Sequence, residues 1–385
     1  MNNIVCKIFE NTQYNLSPAF EGTNLQTLIA GTFKKTFLNG DVTSHPFPIF
    51  DSVDRTESTP EIQDDTFYIF PIFYIHTEIT ETLDLWKEKV KKFIHKNKFL
   101  FNQRNTVVCI CDPFETSKHF ISSVEYLAKD LNFEILVITA NKKFNSNLSN
   151  VKVIYNDTWL QRFPPKNKVI NFKPKRLYIN LNRNARTHRC LLMEKLIDTN
   201  MLKLGYNSWG NAYGSFTFYK NFINPNTNIS NQKFDVLDIK NLSAVNPNNV
   251  APEKHCVRSF LYLNTESNVE LGQLFFSEKV YKPIALGMPF ITLGNPGTLQ
   301  DLRDRGFITF NDWFDESYDY DYDLQKRIEI IVENIKTFSR YSFEDLKNIR
   351  TDMYQILEHN QKLYTALYKK NWLKENLESY ARNKK

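Results

Sequence analysis

The feature that most constrains the fold is an alternation, repeated along the chain, of short apolar runs with amphipathic stretches. IVCKIF (Ile4 to Phe9), TFYIFPIFYI (Thr66 to Ile75), TVVCIC (Thr106 to Cys111), EILVIT (Glu134 to Thr139) and VKVIY (Val151 to Tyr155) read as strands. Between them, Thr77 to Asn97 spaces Ile79, Leu83, Trp86, Val90 and Phe93 three or four apart behind Thr and Glu cap residues, and Ser117 to Leu131 does likewise. Both are helices by that period. Strands and helices in such alternation predict parallel sheet covered by helices.

At 385 residues the chain exceeds the usual size of one hydrophobic core, so two domains are expected. Between Trp159 and Pro174 prolines and bases mix with few apolar residues, the composition of an exposed connection, and the boundary is placed there. A second series then begins with RLYINLN (Arg176 to Asn182), a helix from about Thr187 to Thr199, an irregular stretch rich in Gly, Tyr and Asn, and SFLYLN (Ser259 to Asn264). It continues with a helix near Glu278 to Leu286, PFITLG (Pro289 to Gly294), a helix at Thr298 to Arg305 and a short strand at Phe307 to Phe310. The C-terminal residues are helical, with Leu324, Ile328, Ile331 and Ile335 on one stripe and Leu346, Ile349, Met353 and Ile356 on another. The expected fold is therefore α/β, with two Rossmann-like domains over 1–165 and 175–340. Helices over 341–385 follow, packing back toward the N-terminal domain. Asn39 to Asp65 carries Pro46, Pro48 and Pro60 without a period and reads as a long loop able to overhang a site and shape an acceptor pocket.

Composition narrows the class. No charge-free apolar stretch approaches the roughly 18 residues of a membrane span. The N-terminus, MNNIVCKIFENTQ, lacks a basic and an apolar leader region, and Cys6, Cys109, Cys111, Cys190 and Cys256 show no zinc or disulfide spacing. A soluble protein of a reducing cytoplasm is expected. Abundant Phe, Tyr and Asn suit an AT-rich coding genome, as many viruses and some bacteria have; for a virus the compartment is the host cytoplasm. The net charge of +6 permits sugar nucleotides, membrane surfaces or nucleic acid without requiring any of them. Its distribution says more: Pro164 to Arg189 holds eight Lys or Arg and no acid, whereas Asn311 to Asp323 holds six acids and no base.

Three segments carry candidate chemistry. The strand ending at Asn182 runs into Arg183, Arg186, His188 and Arg189, where a loop opens a helix at the carboxyl edge of a parallel sheet. Helix-start amides and guanidinium forks suit a pyrophosphate; the same residues would also serve as a solvated basic helix end. The second segment is Asn264-Thr265-Glu266-Ser267, followed by Ser277-Glu278-Lys279, Tyr281, Lys282 and Pro283. A carboxylate accepts ribose or sugar hydroxyls and a lysine neutralises a leaving phosphate, although a helix cap with a surface ion pair explains the same residues. The third is Gly294-Asn295-Pro296-Gly297-Thr298, whose glycines let backbone approach a ligand and equally make an ordinary turn. There is neither a Walker A loop nor a GxGxxG fingerprint.

The run FFSEKVYKPIALGMPFITLGNPGTLQDLRDRGF (Phe275 to Phe307) resembles the donor-site segment of fold type B (GT-B) glycosyltransferases, especially those of phage and bacterial genomes. More distantly it is similar to the α1,3-fucosyltransferase signature, matched at Glu266, Ser277, Glu278, Lys279 and Gly287. The resemblance covers roughly Lys175 to Phe310 and implies that Glu278 contacts the nucleotide ribose and Lys279 the diphosphate, with Arg183, Arg186 and Arg189 in the arginine-bearing loop. The chain departs from the fucosyltransferase pattern at Glu266-Ser267 and at Lys282-Pro283, which leaves the donor sugar open.

The resemblance implies transfer of a sugar from a UDP- or GDP-linked donor to a hydroxyl acceptor, a glycan or other, with no tightly bound cofactor. Inverting transfer needs a carboxylate base, and Glu21, Asp112 and Glu115 are the candidates; Asp112 would equally cap a helix or sit in a turn. No Asp-x-Asp metal motif occupies a suitable loop, so metal independence is expected, with Arg and Lys at the diphosphate. Two rival expectations are a DNA-modifying transferase acting on a hydroxymethylated base in phage DNA and a non-catalytic nucleotide- or polyanion-binding protein.

Overall fold

The computed structural model describes residues 3–6, 66–73, 80–112, 118–157, 159–160, 163–166, 168–182, 186–209, 252–370 and 372–384. The fold is α/β, with two parallel sheets and helices. The chain divides into two compact units, Met1–Thr158 with Asn371–Lys385, and Trp159–Lys370. Glu21, Glu115, Arg183 and the segment from Asn39 to Asp65 lie outside the described residues.

The first unit holds a five-stranded sheet of β1 (Asn3–Cys6), β2 (Thr66–Phe73), β3 (Thr106–Asp112), β4 (Ile135–Thr139) and β5 (Val151–Tyr155), paired in that order and all parallel. Every residue of β3 and β4 is buried, which is why these strands read as unbroken apolar runs. On one face Phe70, Ile72, Val108, Ile110, Ile135 and Val137 pack with Leu83, Trp86, Val90 and Ile94 of α1 (Thr80–Lys96) and Phe120, Val124 and Leu127 of α2 (Lys118–Ala128).

The second sheet joins β6 (Arg176–Asn182), β7 (Gly205–Trp209), β8 (Ser259–Thr265) and β9 (Phe290–Leu293) in the order β7-β6-β8-β9, again all parallel. Succession reverses at β6: the next strand lies on one side of it and the one after on the other. Crevices at the carboxyl ends of strands flanking such a reversal are where open parallel sheets take ligands. The longer helices described in this unit are α3 (Thr187–Asp198), α4 (Glu278–Leu286), α5 (Thr298–Asp304), α6 (Leu324–Phe338), α7 (Phe343–Asp352) and α8 (Tyr354–Tyr368). Of the residues read as a C-terminal helical segment, α7 and α8 belong to this second unit, where Leu346, Met353, Leu357 and Tyr364 join its core. Only α9 (Trp372–Asn383) belongs to the first; Tyr380 donates to Glu134, and its ring meets Phe67 edge-on at 5.9 Å.

Three local expectations are corrected. Phe307 to Phe310 is not a strand: the Asn360 amide accepts from the Ile308 N–H and donates to the Ile308 carbonyl, each at 2.8 Å, and Glu316 accepts from the Phe310 N–H at 2.7 Å. Side chains have taken the place of a neighbouring strand. Conversely Gly205–Trp209, within the irregular stretch, is the edge strand β7; its polar side chains hid it. The segment from Trp159 to Pro174 is more than a connection, since Leu160 and Phe163 are buried and the Tyr364 hydroxyl donates to the carbonyls of both.

Gly287 ends α4 in the left-handed region (φ +63°), and a Cβ there would lie 2.9 Å from the Val169 Cα. Backbone cannot yield as a flexible side chain does. Gly287→Ala is therefore expected to lower stability by about 1–3 kcal/mol, read as a lower denaturation midpoint at unchanged m-value.

Candidate functional site

The carboxyl ends of β6 and β8 meet at the reversal of strand order, and one buried carboxylate organises them. Glu266, immediately after β8, is fully buried and accepts from the Ser267 N–H at 3.0 Å, the Ser277 N–H at 3.1 Å and the Ser277 hydroxyl at 2.5 Å. Burial raises its pKa, and nearby Lys279 and the Ser277 hydroxyl oppose that rise. Gly294 permits this crowding: a Cβ there would lie 2.7 Å from the Thr298 Oγ1 and 3.3 Å from the Glu266 Cγ.

Ser277 is also the N-cap of α4, its hydroxyl accepting from the Lys279 N–H at 3.3 Å. The Lys279 ammonium donates to the Ser267 hydroxyl at 3.1 Å, the Ser277 hydroxyl at 3.2 Å and Glu278 at 3.1 Å. Its side chain keeps 21% exposure, against 5% for Glu278, so Lys279 is the group of this pair that a ligand reaches first. Lys282 stands one turn on, 4.0 Å from the Glu278 carboxylate and buried. Burial lowers the Lys282 pKa to about 8, with Glu278 opposing; burial acts to raise that of Glu278, but Lys279 and Lys282 bring it below the ordinary value. One carboxylate thus serves two ammonium groups.

The arginine-bearing segment behaves differently from the expectation of open phosphate ligands. Arg186 precedes α3 and donates to the Ser267 carbonyl; Arg189 donates to the Glu266 carbonyl at 2.9 Å, and His188 Nε2 lies 2.8 Å from the same oxygen. His188 and Arg189 are buried. Burial first and Arg189 second lower the His188 pKa to about 3, so the neutral ring donates through Nε2–H. Asn182 is spent between strands, accepting from the Thr265 hydroxyl at 2.6 Å and donating to Asn180. Arg186 stays half-buried beside Ser267, the residue that Lys279 also touches.

The glycine-bearing turn is engaged by the chain itself. Asp319 of the acidic run accepts from the Leu299 and Gln300 N–H groups at 3.0 and 3.1 Å, so the first amides of α5 hold an internal carboxylate. Gly297, the N-cap of α5, donates its N–H to the Asp319 carbonyl at 2.8 Å. Asn295 is buried, accepting from the Phe275 N–H at 3.1 Å and donating to the Glu270 carbonyl at 2.8 Å. Tyr281 lies in the core, its hydroxyl accepting from Arg305 at 2.9 Å and its ring stacked on Tyr364. Gly297, Asn295 and Tyr281 thus each have partners within the chain. Ser267, part of the segment that follows β8, touches both Arg186 and Lys279, whereas Asp319 closes the glycine-bearing turn, a role that its place in an acidic run does not signal.

In the first unit, Asp112 closes β3 with its side chain fully buried, and its carbonyl accepts from the Ala140 N–H at 3.1 Å. Its backbone lies within a strand paired to Thr139, so it is not a turn residue. Among the described residues no three His, Cys, Asp or Glu side chains are grouped to hold a metal ion, and no helix is long and apolar enough to cross a membrane. No protein-family model matches the chain, and no significant match to it is found among curated proteins.

Two outcomes test this arrangement. Glu266→Gln places an amide donor against two N–H groups and a hydroxyl, and should cost about 2–3 kcal/mol in denaturant unfolding. His188, neutral when folded down to about pH 3 but ionising near 6.5 when unfolded, contributes stability above pH 6.5 that falls away as the pH drops toward 3. The slope is about 1.4 kcal/mol per pH unit, and His188→Gln should flatten the stability profile between those limits by that amount.

Proposed function

We propose that the chain is a glycosyltransferase of fold type B with two Rossmann-like units, the second binding the nucleotide diphosphate of a UDP- or GDP-linked sugar. The observation that carries this reading is the charge at the carboxyl ends of β6 and β8. Four cations, Arg186, Arg189, Lys279 and Lys282, stand against two carboxylates, Glu266 and Glu278, an excess of two positive charges. A diphosphate diester is a dianion of matching charge, and the strand-order reversal is where an open parallel sheet binds nucleotides.

The division of labour follows from exposure. Lys279 and Arg186, both partly accessible and both on Ser267, meet the diphosphate. As the bond to the sugar breaks, negative charge develops on the leaving phosphate, where fixed ammonium and guanidinium groups stabilise it without a metal. Buried Lys282 keeps Glu278 ionised, and Glu278 accepts the ribose hydroxyls. A hydroxyl acceptor gives its proton to a carboxylate sought among Glu21, Asp112 and Glu115.

Thermal shift against UDP, GDP and their sugars is the direct measurement; stabilisation by one nucleotide series is expected, and no response to any of them overturns the reading. Lys279→Ala and Arg186→Ala should each abolish the shift; Lys279 also helps offset the buried Glu266 charge, so its variant should stay folded but melt somewhat lower. Because Lys282 loses its proton near pH 8, nucleotide affinity should hold below that pH and fall above it, with Lys282→Arg removing the break.

A further inference from the structure

The basic run from Pro164 to Arg189, continuous in sequence, is divided by β6 between opposite ends of the second sheet. Arg186 and Arg189 lie at the carboxyl end, whereas Lys173, Lys175 and Arg176 lie at the amino end, roughly 20 Å away along a seven-residue strand. Three hydrogen bonds fix that second group against the entrance to β8. The Lys173 N–H donates to the Val257 carbonyl at 2.6 Å, and the Lys175 and Arg176 N–H groups donate to the Arg258 carbonyl at 2.9 Å. Lys254 and Arg258 therefore join the same edge from much later in the chain. Lys173, Lys175, Arg176 and Lys254 are exposed and Arg258 is half-buried; the adjoining acid, Glu253, is paired with Lys166.

A chain of ring contacts carries this edge to the turn between α6 and α7. Phe172, next to Lys173, meets Phe260 at 6.1 Å; Phe260 stacks on Phe338 at 5.4 Å, and Phe338 meets Tyr341 at 5.6 Å. The turn presents Arg340, Tyr341 and Phe343 to solvent, with the two aromatic residues 46% and 47% exposed. The neighbouring acids are engaged: Glu344 pairs with Lys347, and Asp345 closes a capping box with Ser342.

We infer that this edge docks the protein on an anionic lipid surface, with Lys173, Lys175, Arg176, Lys254 and Arg258 facing headgroup phosphates and Tyr341 and Phe343 seated at the interface. Exposed aromatic rings, three ring contacts from the bases, together with those bases make the pairing of residues found at the interface of peripheral membrane proteins. A nucleic acid is the less suited polyanion. Tyr206, the ring set among the bases, already carries the Arg176 guanidinium at 5.3 Å and meets His255 edge-on at 4.9 Å, so a base stacking on it would compete with contacts within the chain. The inference is independent of the nucleotide site at the other end of the sheet.

Co-sedimentation of the full chain with vesicles tests it, using phosphatidylcholine alone and phosphatidylcholine mixed with phosphatidylglycerol. Binding is expected only with phosphatidylglycerol and should weaken as salt is raised. Lys173→Glu with Lys175→Glu should reduce it by roughly tenfold or more, and Tyr341→Ser with Phe343→Ser should weaken it separately, both at unchanged melting temperature. The milder Lys173→Gln with Lys175→Gln serves if charge reversal disturbs folding. Equal binding to both vesicles, no binding, or binding indifferent to these substitutions overturns the inference. So does retention of duplex DNA through the same lysines without vesicle binding, which would assign the edge to nucleic acid.

Discussion

The second unit depends on a single buried negative charge. Glu266 leaves water altogether, and what offsets its desolvation is three donors from Ser267 and Ser277, together with the nearby Lys279 ammonium. Its own backbone carbonyl is in turn held by His188 and Arg189. One residue therefore ties the end of β8 to the start of α3 and the start of α4. The position of Lys279 follows from this, because Ser267 and Ser277, which it touches, are the same residues that satisfy Glu266. An arrangement built this way is held rigid, since its supporting groups cannot turn outward without stranding a buried charge.

Two further buried cations set the frame behind it, and both bind carbonyl oxygens at the ends of elements. Arg327 donates to the carbonyls of Tyr318 at 2.7 Å and Gly294 at 2.8 Å, and Arg350 to those of Phe260 at 2.8 Å and Gly287 at 3.0 Å. Arg327 joins α6 to the residue after β9, and Arg350 joins α7 to the start of β8 and the end of α4, which is why α6 and α7 are integral to this unit. Asp319 completes the pattern by filling the amide end of α5. The acidic run Asn311 to Asp323 is accordingly a folded element at that point, with Tyr318 and Asp319 buried and Tyr320 and Tyr322 turned to solvent.

Legibility in the sequence tracked burial. Strands such as β3 and β8, enclosed throughout, have no solvent face to interrupt their apolar runs and were read to within a residue or two. Among the described residues β7 pairs with β6 alone, and it holds Tyr206, Asn207 and Ser208, so it carries no apolar pattern. Phe307 to Phe310 carried the pattern without the pairing, because Asn360 and Glu316 took its backbone groups. At the site, Ser277, Glu278 and Lys279 were legible as a cap and an ion pair, and they form both; the same local geometry also brings Lys282 to Glu278 one turn on.

Periodicity, cap chemistry and composition by themselves determined the α/β class, most of the helices and strands, and the presence of cations at strand ends, since these depend on residues only a few positions apart. What each cation does was decided by tertiary structure alone. Arg189 reaches a carbonyl 77 residues away, and Thr265 reaches Asn182 across 83 residues, only because β6 and β8 lie side by side. The direction of a long polar side chain is set by whichever buried partner must otherwise go unsatisfied, and that partner is named by strand pairing, not by neighbours in sequence.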